Sequence, residues 1–275
     1  MLIVLDPGHV EGYNRSPVCP EYAEGTRMFV LGGYLKEKLE EKGFEVVLTR
    51  NSVGEDPSLY ERGTLAGRLG ADLFLSLHSN APSKNPDGSY DEAKSGTVGC
   101  YSQADIAFNR PLCEKLSLAV STVMQNRDLG SFYMDYPNRP GVDYYGVLRY
   151  SAASGCPHAI IMEHGFHTNP EDSRFLMSDE NLRLIASAEA EVVRAYLGMP
   201  ERVRYYRVQV GAYLYRINAE RQEKRLKEAG YDCFITHTDE YYRVQAGAYR
   251  EFANAKKKEQ TLLSKGFDVY ISYSY

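Results

Sequence analysis

Short apolar runs and stretches of helical apolar spacing take turns along the first two thirds of this chain, and their order predicts a fold. "LIVL" at its start, "FEVVLTR", "ADLFLSLHSN" and "PHAIIMEHGF" are compact apolar runs bounded by turn-forming residues, the pattern of strands buried on both faces. "TRMFVLGGYLKEKLEEKG", "LYERGTLAGRLG" and "NLRLIASAEAEVVRAYLG" instead repeat apolar residues every three or four positions and stop on glycine, which predicts helices. Strand and helix alternating in this way imply an α/β fold with a mostly parallel twisted sheet flanked by helices. In such sheets, polar side chains at the carboxyl ends of strands collect along one edge. The stretch 85–145, rich in Tyr, Pro and Gly, shows neither period and predicts long loops near that edge.

From position 205 the pattern changes and then repeats. "YYRVQVGAY" at Tyr205–Tyr213 returns as "YYRVQAGAY" at Tyr241–Tyr249 with eight of nine positions identical, so a whole unit is duplicated. Each copy runs on into a polar helix ("NAERQEKRLKEAG", "NAKKKEQTLLSKG") and a second strand ("YDCFITH", "FDVYISY"). Two βαβ halves joined by a tight "THTDE" turn predict βαββαβ, a small ferredoxin-like α+β domain. The expected division is a body over 1–199 and a tail over 203–275. Strand alternation turns Val208 and Val210 toward the tail helices and leaves Arg207, Gln209, Arg243 and Gln245 on the open face of the sheet.

Composition narrows the class. With 43% hydrophobic and 25% charged residues the chain is an ordinary globular protein, and its net charge of −5 lacks the basic excess of a nucleic-acid binder. The charge is uneven: from Glu201 onward there are 14 Lys and Arg against 10 Asp and Glu, which leaves −9 on the first 200 residues. The five cysteines, Cys19, Cys100, Cys113, Cys156 and Cys233, contain no CxxC pair, so free thiols are expected rather than disulfides or a thiolate metal site. "MLIVLDPGH" lacks the basic and small-residue parts of a signal peptide, which predicts synthesis in the cytoplasm. No apolar run approaches the roughly 18 residues needed to span a bilayer. A monomer is the default.

Chemistry-bearing residues fall at the predicted strand ends. His9 follows the first strand, His78 closes "ADLFLSLH", Glu163 closes "AIIME", and Glu24 opens the first helix. Two imidazoles and a carboxylate form a ligand set that hydrolytic zinc uses, with one position left for water. Asp6 can either orient a ligand histidine or form the turn before Pro7. Arg62 and Arg68 are expected in surface or structural roles. His158, His164, His167 and His237 lack comparable context, although His164 and His167 flank Glu163 and could line a cleft.

"DPGH" at Asp6–His9, "LTR" at Leu48–Arg50, "ER" followed by "AGRLGADLFLSLHSNA" up to Ala81, and "VLR" followed by "IIMEHGFHTNPED" up to Asp172 resemble the zinc-dependent N-acetylmuramoyl-L-alanine amidases of the type 3 family. The resemblance covers most of residues 1–198. It implies zinc held at His9, Glu24 and His78, a catalytic glutamate at Glu163, and cleavage of the amide between N-acetylmuramic acid and L-alanine in peptidoglycan. Glu11 and Glu21 compete with Glu24 for the middle ligand position; Glu24 directly precedes the helix that the family's ligand opens. The segment from Asn126 to Tyr145 has no counterpart in the pattern, so it is either a substrate-facing loop or a solvent-covering insertion.

The tail resembles a SPOR domain, which implies binding to peptidoglycan glycan stripped of stem peptides, with Arg207, Gln209, Arg243 and Gln245 as sugar contacts and Tyr205 and Tyr241 either stacking on sugars or filling space. Together the two resemblances imply a cell-wall autolysin, similar in arrangement to sporulation enzymes that lyse the mother-cell wall and to phage endolysins released through a holin pore. Two other readings compete. A ferredoxin-like sheet can bind single-stranded RNA, but the expected aromatic strand signature is missing. A catalytically inactive wall-binding or amidase-regulating protein is opposed by the presence of His9, His78 and Glu163 together.

Overall fold

The computed structural model describes residues 1–198, 205–238 and 240–274. The expected boundary between 199 and 203, and Asp239 of the expected "THTDE" turn, lie outside the described residues. The chain divides into two compact units, Met1–Glu201 and Arg202–Tyr275.

The first unit runs β1 (Leu2–Pro7), α1 (Glu24–Glu41), β2 (Glu45–Leu48), α2 (Leu59–Leu69), β3 (Leu73–Asn80), β4 (Thr97–Tyr101), α3 (Ile106–Met124), β5 (Asp128–Phe132), β6 (Asp135–Tyr136), β7 (Arg139–Asp143), α4 (Gly146–Ser154), β8 (Ala159–Phe166), α5 (Pro170–Met177) and α6 (Asp179–Tyr196). Six strands form one sheet in the order β2-β1-β3-β8-β4-β5. All neighbours are parallel except β4 with β8, so the sheet is mostly parallel. The strand period of two sorts the core between the faces. Ile3, Leu5, Leu73, Leu75, Leu77, Ile160 and Met162 pack under α1, α3 and α6, while Val4, Phe74, Cys100 and Ile161 pack under α2 and α4.

Local sequence sets the element ends near the functional edge. Ser58 and Glu61 form a reciprocal capping box that starts α2, and Gly70 closes it in a left-handed conformation at φ 66°. Asn169 caps α5 through the backbone N–H groups of Glu171 and Asp172, with Pro170 as its first residue.

The region 85–145 departs from expectation. It contains β4 and the 19-residue helix α3 besides the two-stranded β6–β7 hairpin. Leu112, Cys113, Leu116, Val120 and Met124 form a helical apolar stripe that the surrounding Tyr, Pro and Gly residues obscure, and Pro111 sits inside the helix, where it gives up one backbone hydrogen bond.

The second unit runs β9 (Tyr205–Tyr213), α7 (Arg216–Glu228), β10 (Phe234–Thr238), β11 (Tyr241–Tyr249), α8 (Phe252–Leu263) and β12 (Tyr270–Ser274). The sheet order β10-β11-β9-β12, antiparallel throughout, is the ferredoxin-like arrangement. Val208, Val210, Val244 and Ala246 meet Ala219, Leu226, Ala255 and Leu262 in its core. Gln209 and Gln245 lie on the other face, but they are not open to solvent. They pair in register, with 6% and 2% exposure, and accept hydrogen bonds from the Tyr270 hydroxyl and the Arg207 guanidinium respectively. All five cysteines are free thiols.

Candidate metal centre

A loop, a helix start and a strand deliver the candidate ligands. Gly8 extends the β1 pairing through its N–H to the Leu77 carbonyl (2.9 Å), and His9 then turns out of the strand at φ 58°, a left-handed conformation that costs a non-glycine residue about 1–3 kcal/mol. Arg50, fully buried, holds that turn. Its guanidinium donates to the carbonyl oxygens of Pro7 (3.1 Å), Val53 (2.7 Å) and Gly25 (2.5 Å), tying the His9 loop to the start of α1. A side chain at Gly25 would place its Cβ 1.8 Å from the Val10 carbonyl oxygen, so only glycine allows this approach.

Glu24, the first residue of α1, has its side chain 1% exposed. Its Oε1 lies 2.8 Å from His78 Nδ1 and 3.5 Å from His9 Nε2 and accepts the Ser79 N–H at 3.0 Å; its Oε2 accepts from the Asn14 amide at 2.6 Å. One candidate donor atom from each of His9, Glu24 and His78 lies within 4.8 Å of the other two. Glu11 and Glu21 belong to no metal-competent group among the described residues. The site opens into a cavity of about 750 Å³, whose lining also includes Asn80, Tyr145 and Glu163.

Glu163 enters from the neighbouring strand. It sits opposite His78 in the β3–β8 register, and its Oε2 is buried without a hydrogen-bond partner. Burial raises its carboxyl to about 7, with Glu24 adding to the rise and His78 opposing it. For His78, burial opposes the charge, but the hydrogen bond and charge of Glu24 outweigh it and lift the imidazole to about 9. The same contacts hold Glu24 down at about 2 despite its burial. His9 is lowered to about 4, chiefly by desolvation.

The residues fit a divalent cation. An ionised, buried carboxylate faces two imidazole nitrogens, and the lone pairs of Glu24 and His78 now sharing a proton can share a metal instead. Ser79 and Asn14 fix the carboxylate from behind, as outer partners of metal ligands do.

Other candidates have different work. Asp6 contacts neither histidine. It lies within β1, fully buried, and accepts from Thr49 Oγ1 (2.6 Å) and Ser76 Oγ (2.7 Å), with Arg62 at 3.6 Å. Arg62 is buried and donates to the carbonyls of Pro57 and Pro7, whereas Arg68 is exposed. His167 lines the cavity, with Nδ1 3.1 Å from Ser79 Oγ and 4.0 Å from Glu24 Oε2; the buried Tyr22 hydroxyl donates to the same Ser79 oxygen. His164 is fully buried, with Nδ1 3.0 Å from the His78 carbonyl oxygen and Nε2 3.0 Å from Glu189 Oε1. Both contacts face acceptors, so the ring is best satisfied doubly protonated. Glu189 had a sequence signal: it falls in the buried stripe Leu182, Ile185, Ala186, Ala190 and Val193 of α6.

The profile of the N-acetylmuramoyl-L-alanine amidase family matches residues 3–195. This chain belongs to that amidase family. The SPOR domain matches residues 203–273, so the amidase body carries a SPOR tail. Among relatives, the N-acetylmuramoyl-L-alanine amidase CwlM of Bacillus licheniformis is 27% identical over 246 residues, 86% of this chain and 85% of that protein. The sporulation-specific N-acetylmuramoyl-L-alanine amidase of Bacillus subtilis (strain 168) is 26% identical over 241 residues, with 86% and 85% covered. The crystal structure of an N-acetylmuramoyl-L-alanine amidase from Clostridium difficile 630 aligns with a TM-score of 0.59 and 23% identity over 72% of this chain and 96% of that one, a likeness of fold.

Proposed function

We propose that this amidase hydrolyses the bond between N-acetylmuramic acid and the L-alanine of the stem peptide, using zinc held by His9, Glu24 and His78, with Glu163 moving the proton. The observation carrying this reading is the convergence of three ligand-competent atoms within 4.8 Å beside a glutamate whose Oε2 is buried and unpaired. Zinc at such a site supplies Lewis acidity, which polarises a carbonyl and makes water a stronger acid at neutral pH. Glu163, raised toward neutrality by burial, accepts the proton of the attacking water on a carboxylate oxygen and hands it to the departing alanine nitrogen. Glu24 stays ionised and acts as a ligand rather than a base. Asn14, Ser79 and Arg50 keep the ligands oriented.

The SPOR tail holds the enzyme on peptidoglycan, with Arg207 and Arg243 as the contacts on the sheet face opposite its helices. Gln209 and Gln245 lie buried in that face and support the contact surface. No helix among the described residues is long and apolar enough to cross a membrane.

Mass analysis of purified peptidoglycan after incubation tests the reading. Stem peptides with a free L-alanine amino terminus should appear, and a chelator should suppress them. Unaltered peptidoglycan, or cleavage between sugars or within the peptide, would overturn it.

A further inference from the structure

Tyrosines of the segment that the family motifs leave unassigned join two from α2 and α4 in an ordered cluster that reaches the cavity at Tyr145. The segment's β6–β7 hairpin is held in place: Asp143, 7% exposed, accepts from Ser102 Oγ (2.5 Å) and the Gln103 N–H (2.9 Å), and Asp135 accepts from the Gln103 amide and the Gly141 N–H, both at 2.9 Å. Arg149 donates through Nη1 to the carbonyls of Asp143 (2.7 Å) and Tyr144 (3.0 Å). Its guanidinium then lies 4.9 Å from the Tyr136 ring centroid and 5.2 Å from that of Tyr150. Tyr150 meets Tyr60 edge-on at 5.3 Å, and Tyr144 meets Tyr145 edge-on at the same distance. Tyr145 lines the cavity, so the cluster is continuous with the candidate site.

Tyr60, Tyr136 and Tyr144 are 60%, 40% and 45% exposed. Rings fixed in place and grouped beside a cleft mark a binding surface more than isolated exposed residues do. Charge selects the ligand class. Asp135 adjoins Tyr136, which disfavours, at the tyrosine cluster itself, a ligand carrying several carboxylates, as a stem peptide does. An uncharged sugar suits the surface better, because its C–H face lies on a ring while its hydroxyls stay in water. An amide borne by a muramoyl unit within a glycan strand also reaches the cavity only if the neighbouring sugars cross its rim.

We propose that Tyr60, Tyr136, Tyr144 and Tyr150, with Arg149 fixed among them, form a sugar-stacking rim that takes the glycan residues flanking the muramoyl unit at the site. This deepens the amidase reading and rests on it.

The test compares the full chain with Tyr60→Ala, Tyr136→Ala and Tyr136→Phe on two substrates: polymeric peptidoglycan and a muramoyl-peptide monosaccharide with the same stem peptide. Each alanine variant should lose about three- to tenfold in kcat/KM on the polymer relative to the monosaccharide, mainly through KM, and Tyr136→Phe should keep most of it. Equal losses on both substrates would assign the rim to the stem peptide or to folding, and no loss on the polymer would remove its role; either overturns the proposal. Calorimetric binding of a peptide-bearing tetrasaccharide reads the rim without cleavage. Wild type that binds the tetrasaccharide more tightly than the alanine variants but cleaves neither substrate would count against the amidase reading alone. Equal binding by wild type and variants would count against the rim.

Discussion

A single methyl group at Gly8 should loosen the metal centre. The backbone there lies outside the left-handed region, so alanine fits it, but an added Cβ would stand 2.3 Å from His78 Cε1 and 2.6 Å from both ring nitrogens. Ordinary carbon contacts begin near 3.5 Å, so the ring must retreat by about 1 Å. That shift breaks the 2.8 Å contact of His78 Nδ1 with Glu24, because Glu24 is itself pinned by Ser79 and Asn14. Crowding of this kind costs about 1–3 kcal/mol of stability, and displacing a ligand should weaken metal binding by about 10- to 100-fold. Competition against a chromophoric chelator gives the affinity, and denaturant unfolding of the metal-free chain gives the stability. Gly33→Ala is the control: it is exposed within α1, its Cβ would meet nothing within 4 Å, and alanine there should add about 0.5–1 kcal/mol while leaving metal affinity alone. Wild-type affinity in Gly8→Ala would refute the placement of His78 in the metal site.

Glu163→Gln keeps shape and removes the base, so the variant should retain its metal, read by elemental analysis, while hydrolysis falls by about 10²- to 10⁴-fold; retained activity would contradict the role. Metal affinity should rise with pH, because His78, at about 9 in the metal-free protein, must release its proton on binding. The sign for folding is opposite: the stabilisation from this raised pKa is complete below the ordinary value of 6.5 and is lost as pH rises through about 9. Titrations in buffers of different ionisation enthalpy should show proton uptake by buffer at pH 7, and pH-independent affinity would exclude the shared proton. Glu189→Ala strands the buried His164 and should cost about 3–5 kcal/mol by urea unfolding, whereas a loss under about 1 kcal/mol would show that the pair carries no buried charge.

Much of the body was legible because periodicity reports burial, and in a parallel sheet burial order fixes which strand ends share an edge. His9, His78 and Glu163 could be placed on one edge from that alone. The choice among Glu11, Glu21 and Glu24 could not, since it depends on the aperiodic loop that Arg50 and Asn14 hold in place. Helix α3 was hidden by composition, although its stripe from Leu112 to Met124 was present. Asp6 was misread because its partners, Thr49 and Ser76, come from flanking strands. In the tail, alternation predicted which face Gln209 and Gln245 occupy, but not that cross-strand pairing and the Arg207 and Tyr270 side chains would bury them.

X-ray absorption of the zinc-loaded full chain tests the metal centre most directly. The account predicts one zinc per chain with two imidazole nitrogens and a carboxylate oxygen at about 2.0–2.2 Å, and loss of that stoichiometry in His9→Ala, Glu24→Ala and His78→Ala. Sulfur in the coordination shell, or full zinc occupancy in those variants, would contradict it.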